Sequence, residues 1–458
     1  MKLTFKNLFF IDKEMFPVEK QLEHEKHHKK NAWVYFATMA LGFWLIANPL
    51  TFNYEQPLMI WNDYLVGGLL ILLSYLALKP YNLWAQWAIV FLGIWLFIAP
   101  LIFHVREETA YLLDFLIGTL AITFGIVIAS QPGIKLFALP GPSIPQGWSY
   151  NPSSWSQRIP VIFLAWLGFF IARYMGAFQM EMIPNVWDPI FGDGTRDVLK
   201  SKVSESFPVS DAALGAFSYI LDVLFGYVGG IHRWRTMPWV VIIFAILVIP
   251  LGVVSITLII LQPLSVGSWC TLCLASATIS LIMIPFTIDE AMATIQMMIQ
   301  QKKKGKSLWR ILWFGCTMDD GDHKDKEEPE VVLKVTAKSM IHDLLLRPWN
   351  LVLITIVAIW IMISPSVLQF SGSLADSNHL VGALIITFTI ISMSEVARTL
   401  RFINVLFGLW IAISPFIYNV DQSGALWNGV ISGLVIIAVV FPRGIIEDER
   451  GGFAKYVK

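Results

Sequence analysis

Trp269-Cys270-Thr271-Leu272-Cys273-Leu274 places two of the chain's three cysteines one helical turn apart, where an apolar run long enough to cross a membrane begins. A pair at i and i+3 can close a disulfide, which needs a Cα separation of about 4.4–6.8 Å. Thiols in the first turn of a helix also feel the free backbone N–H groups and the positive end of the helix dipole, which stabilise thiolate. The pair therefore reads as a redox centre. Two small apolar packing residues are the competing reading, because cysteine is common in hydrophobic interiors.

Outward from that helix, the composition identifies the solvent. Hydrophobic residues make up 56% of the 458, charged residues only 14%, and mean hydropathy is +0.63, against roughly 25% charged in a soluble domain. The fold class expected is all-α, a polytopic integral membrane protein. Met1 to Lys30 has no apolar core of a signal peptide and carries Lys13, Lys20, Lys26, Lys29 and Lys30, which suits a cytoplasmic tail.

Apolar runs of membrane-spanning length predict twelve helices in three groups of four. The first group lies near 32–50, 62–79, 83–103 and 110–130; the second near 160–179, 212–229, 237–261 and 270–288; the third near 350–365, 379–394, 402–416 and 427–442. The expected domains are 1–130, a linker 131–159 rich in Pro, Gly and Ser (Leu139-Pro140-Gly141-Pro142-Ser143), 160–300, a charged segment 301–349, and 350–458. That charged segment holds Lys302-Lys303-Lys304 and Asp319-Asp320-Gly321-Asp322 and is expected in water.

With both termini cytoplasmic, 28 of the 33 Lys and Arg fall inside, four (Arg106, Arg196, Lys200, Lys202) outside, and Arg173 within a span. This asymmetry obeys the positive-inside rule and suits a bacterial inner membrane. It puts His232-Arg233-Trp234-Arg235 inside, and Cys270 with the 180–211 loop on the outer, oxidising side. Cys316 falls inside, where no bridge is expected.

The outer groups repeat internally. Trp44…Pro49, Trp95…Pro100, Trp360…Pro365 and Trp410…Pro415 share W-x4-P, 51 residues apart in the first group and 50 in the second. Asp63/Gly67, Asp114/Gly118, Asn378/Gly382 and Gly429/Gly433 follow at matching places in the next helix, so each repeat is a helical hairpin. Trp anchoring at the interface, Pro ending a helix and small residues admitting close backbones account for these positions. The hairpins resemble the SPW repeat of bacterial and archaeal membrane proteins: Ser364-Pro365 and Ser414-Pro415 keep its Ser-Pro, while Asn48-Pro49 and Ala99-Pro100 do not.

The central group resembles the vitamin K epoxide reductase family of membrane thiol oxidoreductases. The likeness rests on Phe207-Pro208-Val209 leading to Gly215-Ala216-Phe217-Ser218-Tyr219, and on the CxxC opening the fourth helix. It implies that Cys273 contacts a quinone, that Cys270 exchanges disulfide with a donor, and that Ser201 or Ser204 supplies a hydroxyl near the quinone. It also implies a relay cysteine pair before the second helix, but Glu181 to Asp211 holds no cysteine. A separate thioredoxin-like partner would have to supply that dithiol, or the domain keeps the fold without turnover.

Two ionisable residues fall in spans of this group, Arg173 and Asp222, where charge is costly and usually paired. They are expected either to touch each other or, for Asp222, to serve the proton or quinone site. Asp188, Asp193 and Asp197 lack the alternation of a calcium loop, and Gly192-Asp193-Gly194 reads as turn chemistry. His24, His27 and His28 read as a solvated basic tail beside lipid headgroups rather than a metal site. Zero net charge and an apolar bulk exclude nucleic-acid binding. The expected activity is electron exchange between the CxxC and a membrane quinone; the alternative is a non-catalytic subunit packed by its lipid-facing helices into a larger membrane complex.

Overall fold

The computed structural model describes residues 13–52, 54–105, 107–128, 141–206, 209–318, 349–420 and 422–442. Leu139-Pro140, Phe207-Pro208, Arg106 and the acidic run at 319–322 lie outside them. The chain is a multi-pass, all-helical membrane protein. Eleven of the described helices are long and apolar enough to cross a bilayer, and a twelfth results if Gly194–Ser206 and Asp211–Tyr227, bent by 88°, count as one span.

The first bundle comprises α2 (Trp33–Phe52), α3 (Pro57–Ala77), α4 (Leu83–Ile102) and α5 (Glu108–Ile122), preceded by a short helix α1 (Val18–Lys30). Helix α2 packs on α3, α3 on α4, α4 on α5, and α5 back on α2. Hairpin backbones touch through glycine. A Cβ on Gly42 would lie 2.7 Å from the Gly67 carbonyl oxygen, and one on Gly93 2.8 Å from that of Gly118, so only glycine admits this approach.

Each W-x4-P helix ends in one way. Pro49, Pro100, Pro365 and Pro415 each accept from the backbone N–H five residues on, at 2.9–3.3 Å. His104, Gln369 and Asn419, each four residues past its proline, take φ of 53°, 56° and 48°. This is a left-handed helix cap of Schellman type. The tryptophans do more than anchor. Trp95 Nε1 donates to Asn62 Oδ1 at 2.8 Å, Trp410 Nε1 to Ser377 Oγ at 2.8 Å, and Trp360 Nε1 to Asn428 Oδ1 at 2.6 Å. These acceptors sit one residue before Asp63, Asn378 and Gly429, so the indole of one hairpin clasps the same register of the other. For Trp44 the matching position is Leu113, which cannot accept.

The last bundle, α12 (Trp349–Leu368), α13 (Ser373–Ile391), α14 (Ile403–Ile417) and α15 (Ser423–Val440), closes in the same order. Gly408 and Gly433 repeat the close approach at 3.0 Å.

The central bundle is α6 (Trp155–Gln179), α8 (Asp211–Tyr227), α9 (Pro238–Leu261) and α10 (Thr271–Lys303), with a short α7 (Gly194–Leu199) before α8. Aromatic contacts join it to the first bundle: Phe115 stacks on Phe169 at 5.4 Å, and Trp87 meets Trp239 edge-on at 5.4 Å. At 33 residues, α10 is about 50 Å long, well beyond a hydrocarbon core of roughly 30 Å. Its far end gathers polar partners. Glu290 pairs with Arg233 through two bonds of 2.6 Å and accepts from Ser153 Oγ at 2.5 Å. Asp289 accepts from Tyr150 at 2.6 Å and from Ser394 of the last bundle at 2.7 Å.

Two expectations change here. The segment beyond α10 does not leave the protein at once: α11 (Leu308–Phe314) buries Ile311 and Phe314, Trp313 stacks on Trp239, and buried Cys316, unbridged as expected, donates its N–H to Arg235 O. The histidine-rich tail is not wholly solvated either, since His24 and His28 are buried while Leu22, Lys26, Lys29 and Lys30 stay exposed. It folds as α1 and docks on the end of α3, with His24 Nε2 2.7 Å from Pro80 O and His28 Nε2 2.9 Å from Ala77 O. Ala77 is the last residue of α3, whose carbonyl lacks an intrahelical partner, and Pro80 lies in the turn just beyond; the rings bury where they bind them.

Burial lowers the pKa of both rings, against the opposing effect of the carbonyl contacts. A base whose pKa falls on docking favours docking in its neutral form. Below pH of about 6.5 the undocked tail takes up protons that the docked one resists, so docking weakens as pH falls. A spin label at exposed Leu22 should gain mobility between pH 7.5 and 5.5, and a His24→Gln/His28→Gln chain should lose that step. Equal mobility of the native chain at both values would refute it.

Candidate redox site

Cys270 and Cys273 are joined as a disulfide with a Cα separation of 5.3 Å. Cys270 is the N-cap of α10, its sulphur accepting from the Cys273 N–H at 3.0 Å. The sequence favours this start because Gly267 turns the chain with φ of 76° and Thr271 begins the helix. The two sulphurs differ in surroundings. Cys270 is fully buried beside Met175, Phe178, Leu199 and Ala212, and its N–H donates to buried Gln262 at 3.1 Å. Cys273 is half-buried, 3.8 Å from Met175 Sδ, and lines a cavity of about 450 Å³.

That cavity lies among α6, α8, α9 and α10. Leu247, Leu251, Val254, Leu258 and Ala277 contribute its apolar wall; Ser201, Ser204, Asp211, Gln262 and Cys273 line it at the CxxC end, and Ser218, Ser255 and Ser276 line it farther along the helices. Tyr219 also lines it, with its hydroxyl held by Ser276 O at 2.7 Å and Ser280 Oγ at 2.6 Å. The volume and lining suit a mostly apolar ring compound with a few orienting contacts.

Both candidate serines line the cavity. Ser204 is buried and fixed: its hydroxyl donates to Asp211 Oδ1 at 3.0 Å and accepts from Gln179 Nε2 at 2.5 Å. Asp222 does not line it. Fully buried in α8, its carboxylate has no hydrogen-bond partner among the described residues. The expected Arg173–Asp222 contact is absent, since Arg173 lies over Phe169 of its own helix, at 6.0 Å. Depth explains this. Arg173 is six residues from the CxxC end of α6 and Asp222 eleven from that end of α8, about 9 Å and 16 Å at 1.5 Å per residue.

The segment 188–199, of which Gly192-Asp193-Gly194 reads as a turn, covers Cys270. Asp188 accepts from the N–H groups of Ile190, Phe191 and Thr195 at 2.8–3.0 Å and from Thr195 Oγ1 at 2.6 Å. It also reaches α10, accepting from Thr271 N at 3.2 Å and from the Thr271 hydroxyl. Partial burial raises its pKa, but the Thr195 and Thr271 hydroxyls and the Phe191 and Ile190 N–H groups outweigh that and hold it well below the usual carboxylate range. Asp188-Pro189 is a legible turn signal; its bond across 83 residues to Thr271 is not. Beside it Gly194 lies against the Trp269 carbonyl, where a Cβ would come within 2.0 Å. Trp269 in turn meets His379 of the last bundle edge-on at 5.3 Å. Among the described residues no group of three or more His, Cys, Asp and Glu could hold a metal ion.

Residues 159–288 match the family model described as Vitamin K epoxide reductase family, and residues 32–128 and 348–441 match the SPW repeat domain. No curated protein and no solved structure matches the chain. The arrangement of the matches is the one that the CxxC and the W-x4-P hairpins suggest: the centre of the chain is similar to the vitamin K epoxide reductase family, and both its flanks are similar to the SPW repeat domain.

Proposed function

We propose that the chain is a membrane thiol–disulfide oxidoreductase in which Cys273 exchanges electrons with a quinone seated in the adjoining cavity and Cys270 exchanges with a protein dithiol. The observation that carries this reading is the apolar cavity of about 450 Å³ with half-buried Cys273 at its polar end. The resemblance of residues 159–288 to a family of thiol oxidoreductases supports the chemistry. In the reducing direction for quinone, two S–H bonds break, one S–S bond forms, and two electrons and two protons convert quinone to quinol.

Because 181–211 has no cysteine, the second dithiol comes from a thioredoxin-like partner on the side where the CxxC lies. Thiol exchange needs only an accessible attacking thiolate. Burial of Cys270 beneath 188–199 means that the cover must move for the partner to reach it. The Lys and Arg distribution supports both termini inside and the CxxC outside, as in a bacterial inner membrane.

Redox titration with mass-shift thiol alkylation should show the pair cycling, and purified reduced protein should reduce a soluble ubiquinone or menaquinone analogue. Cys273→Ser and Cys270→Ser should each abolish quinone-dependent oxidation of a partner dithiol while keeping the fold. Native-rate oxidation by the double substitution would exclude the enzymatic reading. The non-catalytic alternative would then stand, a subunit held in a larger membrane complex.

A further inference from the structure

Ser204 is a wall between two spaces. On one side is the apolar cavity that holds Cys273. On the other is a cleft of about 470 Å³ between the central bundle and the first bundle, lined also by His104, Gln179, Glu181, Lys200 and Glu205. His104, Glu181, Lys200 and Glu205 are exposed, so this cleft reaches water. Asp211 lines the apolar cavity only, and Gln179 the cleft only.

The wall is one hydrogen-bonded unit. Ser204 Oγ donates to Asp211 Oδ1 at 3.0 Å, and Gln179 Nε2 is 2.5 Å from both of those atoms. Gln179 Oε1 accepts from Ser210 Oγ at 2.5 Å and from the Ala212 N–H at 3.1 Å, which fixes the amide by both ends. An amide can hold this geometry but cannot pass a proton on, whereas a hydroxyl can accept one on its oxygen and give up its own. The order from water inward is therefore cleft, Ser204, Asp211, cavity.

We infer that Asp211 gives and takes the proton at the nearer quinone oxygen, and that Ser204 connects Asp211 with water in the cleft while Gln179 positions both. This rests on the proposed quinone reaction. When the dithiol reduces quinone, its two electrons pass to the ring. The nearer ring oxygen takes its proton from Asp211, which regains one through Ser204 from the cleft. The farther oxygen takes one from solvent, and the two thiol protons leave to solvent, so two protons enter the quinol for two released. Besides Asp211 and Cys273, the other ionisable side chain lining the cavity is Tyr219, whose hydroxyl is held by Ser276 O at 2.7 Å and Ser280 Oγ at 2.6 Å and which does not line the cleft. The charged and titratable groups facing the relay are Glu181 from the end of α6, Lys200 and Glu205 from the loop, and His104 from the first bundle.

The test follows the quinone half-reaction of the reduced full-length protein in nanodiscs, with a soluble ubiquinone analogue, in H2O and D2O and across pH 5–9. Asp211→Asn should slow the limiting rate at saturating quinone at least tenfold, flatten the pH profile and leave exchange with a dithiol partner at the native rate. Asp211→Glu should restore most of the rate, and Ser204→Ala should raise the solvent isotope effect. If Asp211→Asn keeps the native limiting rate and pH profile, the inference falls. It also falls if the variant changes only the quinone concentration needed, since that is a binding role, or if Asp211→Glu is as slow as Asp211→Asn. A native protein that never reduces quinone would instead sink the proposed function, and the relay with it.

Discussion

Glu290→Ala is expected to destabilise the protein by about 3–5 kcal/mol, the cost of leaving one member of a buried ion pair without its partner. Arg233 is fully buried, and both its bonds to Glu290 are 2.6 Å. Its remaining contacts, to the carbonyls of Phe225 at 2.7 Å and Val228 at 2.9 Å, satisfy protons but supply no charge. Buried Arg158 lies in the same place, donating to the carbonyls of Gly226, Gly229 and Val228. Without Glu290, two guanidinium groups would share a buried site with no anion beside them. The apparent unfolding temperature in detergent should fall by several degrees. Glu290→Gln should cost less, since an amide oxygen still accepts. Arg233→Met with Glu290→Leu should recover much of the loss, because an apolar pair of similar size avoids desolvating either charge. An unfolding temperature for Glu290→Ala within a degree of native would mean that this pair does not hold α10 to the 228–237 turn.

The same pair shows where sequence reading reaches its limit. His232-Arg233-Trp234-Arg235 is legible as a basic loop on one side of the membrane, but its arginines are buried clamps. Their partners lie 57 residues away in Glu290 and about 93 away in Pro142, and nothing local in the chain marks a partner at such distance. Local chemistry was more legible. The twelve apolar runs, the W-x4-P hairpins and the i, i+3 cysteines each depend on neighbours within a turn or one hairpin, and each reappears in the structure. The histidine tail misled for a related reason: its charge is that of a solvated segment, but two of its rings meet the carbonyls of Ala77, at the end of α3, and of Pro80, in the turn beyond it. Asp222 shares the helix face of Asp211, Gly215 and Ser218, which line the cavity, but it lies one turn deeper than Ser218 and outside that lining, and a span position read from sequence does not show where a cavity ends. Gln179, whose amide bonds both Ser204 and Asp211, carried no signal at all, being one polar side chain at a helix end.

Gly194→Val is expected to strip the cover from Cys270. Even a Cβ at this position would sit 2.0 Å from the Trp269 carbonyl oxygen and 3.1 Å from Phe191 Cβ. The carbonyl cannot yield, because Trp269 directly precedes the N-cap of α10 and is wedged between Phe191 at 6.4 Å and His379 at 5.3 Å. The segment must therefore move, and the bonds from Thr195 and Thr271 that converge on Asp188 are the ones it breaks. In the native chain, Cys270 reacts only from an open state whose population sets the rate. Losing about 1.4 kcal/mol of closure raises that population tenfold, and forcing backbone against backbone costs more than that. Alkylation of Cys270 in the reduced protein should accelerate at least tenfold, while Cys273, which already borders the cavity, should change by less than threefold. Asp188→Ala should act in the same direction, because it removes the acceptor that joins cover to helix without adding bulk. If both variants left Cys270 as slow as in the native chain, the 188–199 segment would not be what shields it, and a partner thiol would have to approach through the cavity beside Cys273.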